Sequence, residues 1–151
     1  MKLYLGGNKF LAIIDLNEDF IHKFHLKNNK GKKEKAVYSA IELNNKNENS
    51  SFYLVGTYSN HIYLIDKRDN IPFDILLGHQ NGINKIKFLK DGMHFISGAR
   101  KENFVNLWDI RNTRTPINSF FRIGDTNQKL EFDLDKNEQN LFIANDVNYY
   151  Y

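Results

Sequence analysis

Three segments of the chain repeat one pattern, and that repeat leaves few folds open. Aligned on Asp15, Asp66 and Asp109, they read LYLGGNKFLAIIDL, YLVGTYSNHIYLIDKR and FISGARKENFVNLWDIR. The preceding columns then match: Leu11, Ile62 and Val105; Ile13, Leu64 and Leu107; Ile14, Ile65 and Trp108. A glycine stands nine to eleven residues upstream in each copy, at Gly6, Gly56 and Gly98, and a fourth copy opens at LFIANDVNYYY. The aspartates lie 51 and 43 residues apart, the longer interval holding two polar segments, KNNKGKKEK and NNKNENSS.

Around these anchors the hydrophobic alternation is short. FYLVGTY, HIYLID, INKIKFL, MHFISG, FVNLWDI and KLEFDL are rich in Ile, Val, Phe and Tyr and are separated by Gly, Asn, Asp and Pro, the signature of successive strands. No apolar helical face is sustained over three turns. Pro72 and Pro116 each open a run, where a missing N–H costs a strand least. A unit of roughly 40–45 residues with four short strands predicts an all-β fold, the β-propeller. The 151 residues then divide into a partial blade (1–26), a basic loop (27–35), a blade (36–78), a blade (83–123) and a truncated blade (127–151). Such a chain starts in mid-blade and stops before the fourth Trp-Asp position. The expectation is an incomplete propeller of about 3.5 four-stranded blades, about half of a seven-bladed ring. It needs further blades or another chain to close, and otherwise presents unpaired strand edges.

Composition removes several function classes. With no cysteine there is no disulfide framework, thiolate metal site or cysteine nucleophile. No apolar stretch is long enough for a membrane-spanning helix, and MKLYLGGNKF lacks the apolar core of a secretory signal. The net charge of +3 belongs to one segment: Lys27, Lys30, Lys32, Lys33 and Lys35 share a nine-residue run with a single acid, Glu34. That run reads as a solvated, disordered insertion between blades. The alternative is salt-dependent contact with phosphate, a membrane surface or an import receptor, without aromatics to stack on bases.

No constellation argues for an enzyme. His79, Ser97 and Asp109 or Asp91 have the composition of a catalytic triad, but FISG reads as a buried strand with no nucleophile elbow or oxyanion loop around it. His22 and His25 are three apart on a strand and so point to opposite faces, which a shared metal does not tolerate. Neither nucleotide-binding glycine motif is present, and Gly6-Gly7-Asn8-Lys9 reads as a turn between strands. No catalytic residue, metal, cofactor or small-molecule substrate is expected.

The third copy resembles the WD-repeat family, carrying in order Gly78-His79, the Lys90-Asp91-Gly92 turn, Ser97 and Trp108-Asp109. The resemblance implies a structural hydrogen-bond network in which the histidine, the serine, an acid in the following turn and the tryptophan are linked in series, with Asp109 beside them. The acid position falls on Glu102 where the family usually carries aspartate, and the loop is one residue longer than its commonest form. The resemblance also places the turns Tyr58-Ser59-Asn60 and Ala99-Arg100-Lys101-Glu102 on one face with the connectors Gln80-Asn81 and Thr126-Asn127-Gln128. Arg100 and Lys101 supply cations there, and Tyr58, Gln80 and Gln128 flank them, chemistry suited to phosphate, a single-stranded RNA loop or an acidic peptide.

From Gly56 to about Asp146, the segments LLGHQNGI, FISGARK, LWDIR and TNQKLEFDLD are similar to the telomerase Cajal body protein family. That resemblance implies a nuclear, Cajal-body protein without enzymatic activity. Its partners would be small Cajal-body RNAs, including telomerase RNA, and ribonucleoprotein proteins, and it would direct their localisation. A generic protein–protein interaction scaffold is the alternative.

Overall fold

The computed structural model describes residues 1–18, 20–27, 31–45 and 50–146. These residues form thirteen strands and no helix. The first sheet holds β1 (Lys2–Gly6), β2 (Leu11–Asp15) and β3 (Phe20–Phe24). The second runs β4 (Tyr38–Leu43), β5 (Phe52–Thr57), β6 (Ile62–Asp66) and β7 (Pro72–Leu76). The third runs β8 (Ile83–Phe88), β9 (His94–Ala99), β10 (Phe104–Asp109) and β11 (Asn118–Phe121). The fourth pairs β12 (Phe132–Leu134) with β13 (Leu141–Ile143). Every pairing is antiparallel and joins chain neighbours, as short alternating segments with tight turns dictate. The expected all-β architecture is present: four sheets side by side in an open, incomplete propeller, hereafter blades 1 to 4.

Neighbouring blades bury their facing sides against each other. Leu54, Ile62, Leu64 and Leu76 of blade 2 meet Ile83, Phe88, Phe95 and Trp108 of blade 3, while Leu11, Tyr38, Tyr53 and Ile65 close the joint between blades 1 and 2. Ile96, Val105 and Phe132 close the joint between blades 3 and 4. Strands β5 and β6 are buried on both faces because blade 2 lies between two others, so their sequences run apolar without strict alternation.

The repeated glycines mark the joints. A Cβ on Gly6 would stand 2.3 Å from the Tyr38 carbonyl oxygen, one on Gly56 2.5 Å from Ile83 Cγ2, and one on Gly98 3.1 Å from Phe132 Cε1. Tyr38, Ile83 and Phe132 each open the first strand of the following blade. The repeated aspartates close a turn instead. Asp66 accepts the Arg68 backbone N–H at 2.8 Å and its guanidinium at 2.5 Å, and Asp109 treats Arg111 alike at 2.9 and 2.6 Å. Arg68 holds the Asp66 carboxyl down to about 2.

The first strands also bond to one another. Ser39 donates to the Ile83 carbonyl at 2.5 Å, and the Glu42 carboxylate accepts the Phe88 N–H at 3.2 Å. Lys85 pairs with Glu131 and Lys87 with Asp133, so blade 4 is charge-matched to blade 3 along β8 and β12.

The basic run departs from a solvated insertion. Of its described residues, Lys27 and Lys33 form an antiparallel bridge, the Glu34 N–H donates to the Leu26 carbonyl at 2.8 Å, and Leu26 and Glu34 are buried. One apolar side chain before the run and the single acid within it anchor the loop, which a count of charges does not reveal. Asn28, Asn29 and Lys30 lie outside the described residues.

Candidate functional site

The turns β1–β2, β5–β6 and β9–β10 and the connectors between blades meet on one rim. In blade 3 the rim is tied down by a relay. The Trp108 indole N–H donates to Ser97 Oγ at 2.7 Å, Ser97 lies 2.7 Å from His79 Nε2, and His79 Nδ1 lies 2.6 Å from Glu102 Oε2. A serine that accepts from tryptophan donates onward to the histidine, which leaves the imidazole N–H for the carboxylate. Glu102 Oε1 takes the backbone N–H groups of Gln80 and Asn81 at 2.5 and 2.7 Å. A glutamate in place of aspartate thus spans the extra loop residue. Burial pushes the Glu102 carboxyl up, but its bonds to His79, Asn81 and Gln80 outweigh this and hold it below the usual glutamate range. Ser97 and Trp108 are fully buried, so the serine hydroxyl of this set lies inside the blade, and Glu102 is half-buried at its rim. Asp109 stands outside the relay, engaged with Arg111, 3.6 Å from His94.

Blade 2 has no Gly-His pair and no tryptophan, yet it is tied down too. Glu34, buried in the connector before β4, accepts the Tyr63 hydroxyl at 2.7 Å and the backbone N–H groups of Lys35 and Ala36 at 2.8 and 3.1 Å, and lies 3.2 Å from His61 Nδ1. Burial raises this carboxyl, but the hydrogen bonds from Tyr63, His61 and Ala36 outweigh it, so the net direction is down; Tyr63, buried beside it, is pushed up. The sequence signal for Glu34 was there but faint: a lone acid in a lysine run.

Between these two anchors lies a stacked pair, Tyr58 exposed and Arg100 half-buried. The Arg100 guanidinium stacks over the Tyr58 ring, 4.2 Å from its centroid, and Tyr58 is 42% exposed. Both pack on Gly82, where a Cβ would come within 2.9 Å of Tyr58 Cδ1 and 3.2 Å of Arg100 Nε; the Arg100 N–H donates to the Gly82 carbonyl at 3.0 Å. Lys101, exposed and in the left-handed region at φ 53°, donates its N–H to the Thr126 carbonyl at 2.9 Å, which brings in the connector carrying exposed Gln128. Exposed Gln80 adjoins through its bond to Glu102. Tyr58, Gln80, Arg100, Lys101 and the Gln128 segment therefore come from two turns and two connectors onto one patch.

Arg122 was not picked out in the sequence. It is 1% exposed, and its guanidinium donates to the carbonyls of Ala99, Glu102 and Leu130 at 2.5, 3.2 and 3.3 Å, riveting the rim of blade 3 to the next connector. A single arginine after a strand carries no periodic signal. His22 is exposed on β3, and His25 engages the Lys9 carbonyl. Among the described residues no group of three His, Asp or Glu could hold a metal ion, and no helix is long and apolar enough to cross a membrane.

Comparison with known proteins follows the same lines. No protein-family model matches the chain. Telomerase Cajal body protein 1 of Homo sapiens is 40% identical over 87 residues, 58% of this chain and 16% of that protein. The guanine nucleotide-binding protein negative regulator 1 of Schizosaccharomyces pombe is 30% identical over 108 residues, 70% of this chain and 27% of the relative. A chain in the crystal structure of the mitotic checkpoint complex superposes with a TM-score of 0.73 at 20% identity, covering 95% of this chain and 40% of its own. The matches thus span about a sixth to a quarter of the curated relatives' length. The chain has a WD-repeat-like propeller fold and resembles the telomerase Cajal body proteins over a segment.

Proposed function

We propose that this chain is a non-enzymatic WD-repeat scaffold that binds a small nuclear RNA of the Cajal-body class, telomerase RNA among them, and directs its ribonucleoprotein within the nucleus. The observation that carries this reading is the Tyr58–Arg100 stack, an exposed ring under a half-buried guanidinium on the rim, flanked by Lys101, Gln80 and the Gln128 segment. A guanidinium laid on an aromatic ring offers a flat cationic platform, and amides beside it read base edges in an unpaired loop. The similarity over 87 residues to a protein named for telomerase and the Cajal body supports the same class. Titration with a Cajal-type RNA hairpin and a loop-scrambled control tests it. Preference for the native loop that is lost in Arg100→Ala and Lys101→Ala supports the reading; equal binding to both hairpins overturns it.

A protein-interaction scaffold is the second reading, favoured by a different feature. Exposed Phe104 and Phe121 meet edge to face at 5.9 Å, beside a groove of about 370 Å³ lined by Gly78, Gln80, Lys101, Asn103 and Pro116. A partner seated there would be indifferent to the RNA loop sequence and would be lost in Phe121→Ser.

A further inference from the structure

We infer that Lys27, Lys33 and Lys35 of the basic loop belong to the same binding surface, and that an arc of cations from Lys9 through these lysines to Arg100 and Lys101 tracks the phosphate backbone of a single-stranded or hairpin RNA; this rests on the RNA reading above.

The arc is continuous because backbone hydrogen bonds join its parts. The Lys9 N–H donates to the Ala36 carbonyl at 3.1 Å, so the β1–β2 turn is bound to the end of the basic loop. The Tyr58 N–H donates to the Val37 carbonyl at 2.9 Å, which fixes the loop to the β5–β6 turn. Tyr58 then carries Arg100 on its ring. What the sequence presents as an isolated charge run is therefore seated next to the stacked pair.

The cations also outnumber the solvent-facing acids. Among the described residues of the first three turns and three connectors of this rim, the carboxylates are Glu34, Glu102, Asp125 and Glu131, the last paired with Lys85 and Lys129. Glu34 and Glu102 are turned inward and saturated, Glu34 by Tyr63, His61 and two N–H groups, Glu102 by His79 and two N–H groups, which leaves Asp125 as the carboxylate facing solvent beside Lys101. Lys9, Lys27, Lys33, Lys35 and Lys101 are exposed, and no ion pair engages them among the described residues. A rim with five solvent-facing lysines against one unpaired solvent-facing carboxylate, Asp125, is an electrostatic track, and the exposed ring beside it favours a nucleic acid over an acidic peptide.

The work divides accordingly: lysines on phosphates supply affinity without sequence preference, and the Tyr58–Arg100 pair supplies discrimination. The test uses the full chain, the triple variant Lys27→Gln/Lys33→Gln/Lys35→Gln, the corresponding triple Lys→Arg variant, and Arg100→Ala. Each is titrated with the native-loop and loop-scrambled hairpins across salt concentrations. The glutamine triple is expected to weaken both hairpins by the same factor, leave their ratio intact and flatten the salt slope by roughly one unit per lysine lost. The arginine triple restores slope and affinity, which separates charge from folding. Unchanged affinity and slope in the glutamine triple, with discrimination still lost in Arg100→Ala, overturn the arc and leave the RNA reading standing. Displacement of RNA by a polyglutamate peptide at equal charge, with no loop preference in the unaltered chain, overturns both.

Discussion

Blades 2 and 3 are both four-stranded, and both fasten their entry connector to the turn between their second and third strands, but with the parts exchanged. In blade 3 the connector brings the imidazole, His79, and the turn brings the carboxylate, Glu102. In blade 2 the connector brings the carboxylate, Glu34, and the turn brings the imidazole, His61. A buried hydroxyl completes each set, Ser97 in one and Tyr63 in the other. The geometry needs one acid, one histidine and one hydroxyl bridging the same gap, and either side can supply the acid. The blade 3 version adds Trp108, stacked 6.1 Å from Phe95 at 10°, which seals its relay from solvent.

If that comparison holds, the largest effect belongs to the tryptophan. Trp108→Ala should cost about 3–5 kcal/mol in chemical denaturation, since it opens a cavity and strips Ser97 of a donor; a loss below about 1 kcal/mol would show that the relay does not organise blade 3. Next is Glu34→Ala, which orphans the Tyr63 hydroxyl and two N–H groups and should cost about 1–3 kcal/mol. An effect near zero there would break the equivalence of the two blades. Third is acid. Both glutamates have lowered carboxyls, so their stabilisation is complete above the ordinary glutamate value of 4.5 and is lost as pH falls through the lower folded value. The unfolding midpoint should be flat from neutral pH down to about 5 and then fall. Glu34→Gln and Glu102→Gln should each flatten that acid limb; a limb unchanged in either would remove that residue from the account. Smallest in stability is Gly82→Ala, which pushes Tyr58 from Arg100. It should leave the denaturation midpoint within about 1 kcal/mol of the parent while lowering loop discrimination in the hairpin titration.

The same comparison marks how far the sequence is readable. The propeller follows from the 43-residue interval, the repeated Asp and the short alternating runs, because strand period and repeat length are properties of the chain itself. Members of the blade 3 relay could be named because Gly78-His79 and Trp108-Asp109 stand in one copy. Glu34 could not, since its role depends on Tyr63 and His61, which lie 29 and 27 residues away and meet it only when β5–β6 folds beneath the connector. Arg122 escapes for a related reason: its partners are three backbone carbonyls, which have no side-chain signature. The Tyr58–Arg100 stack lies between, its members nameable as rim residues while their contact is not.

The glycine notches at the blade joints bear on how such a chain tolerates change. Each notch receives the residue that opens the following blade, so spacing between blades is gauged at that point and not by the length of chain between them. The interval from Asp15 to Asp66 is eight residues longer than the next one, yet Gly6 grips Tyr38 as Gly56 grips Ile83. Connectors are therefore free to lengthen and to change charge while the blades keep step, and an insertion such as the lysine loop can acquire a partner of its own without any cost to the register of the strands.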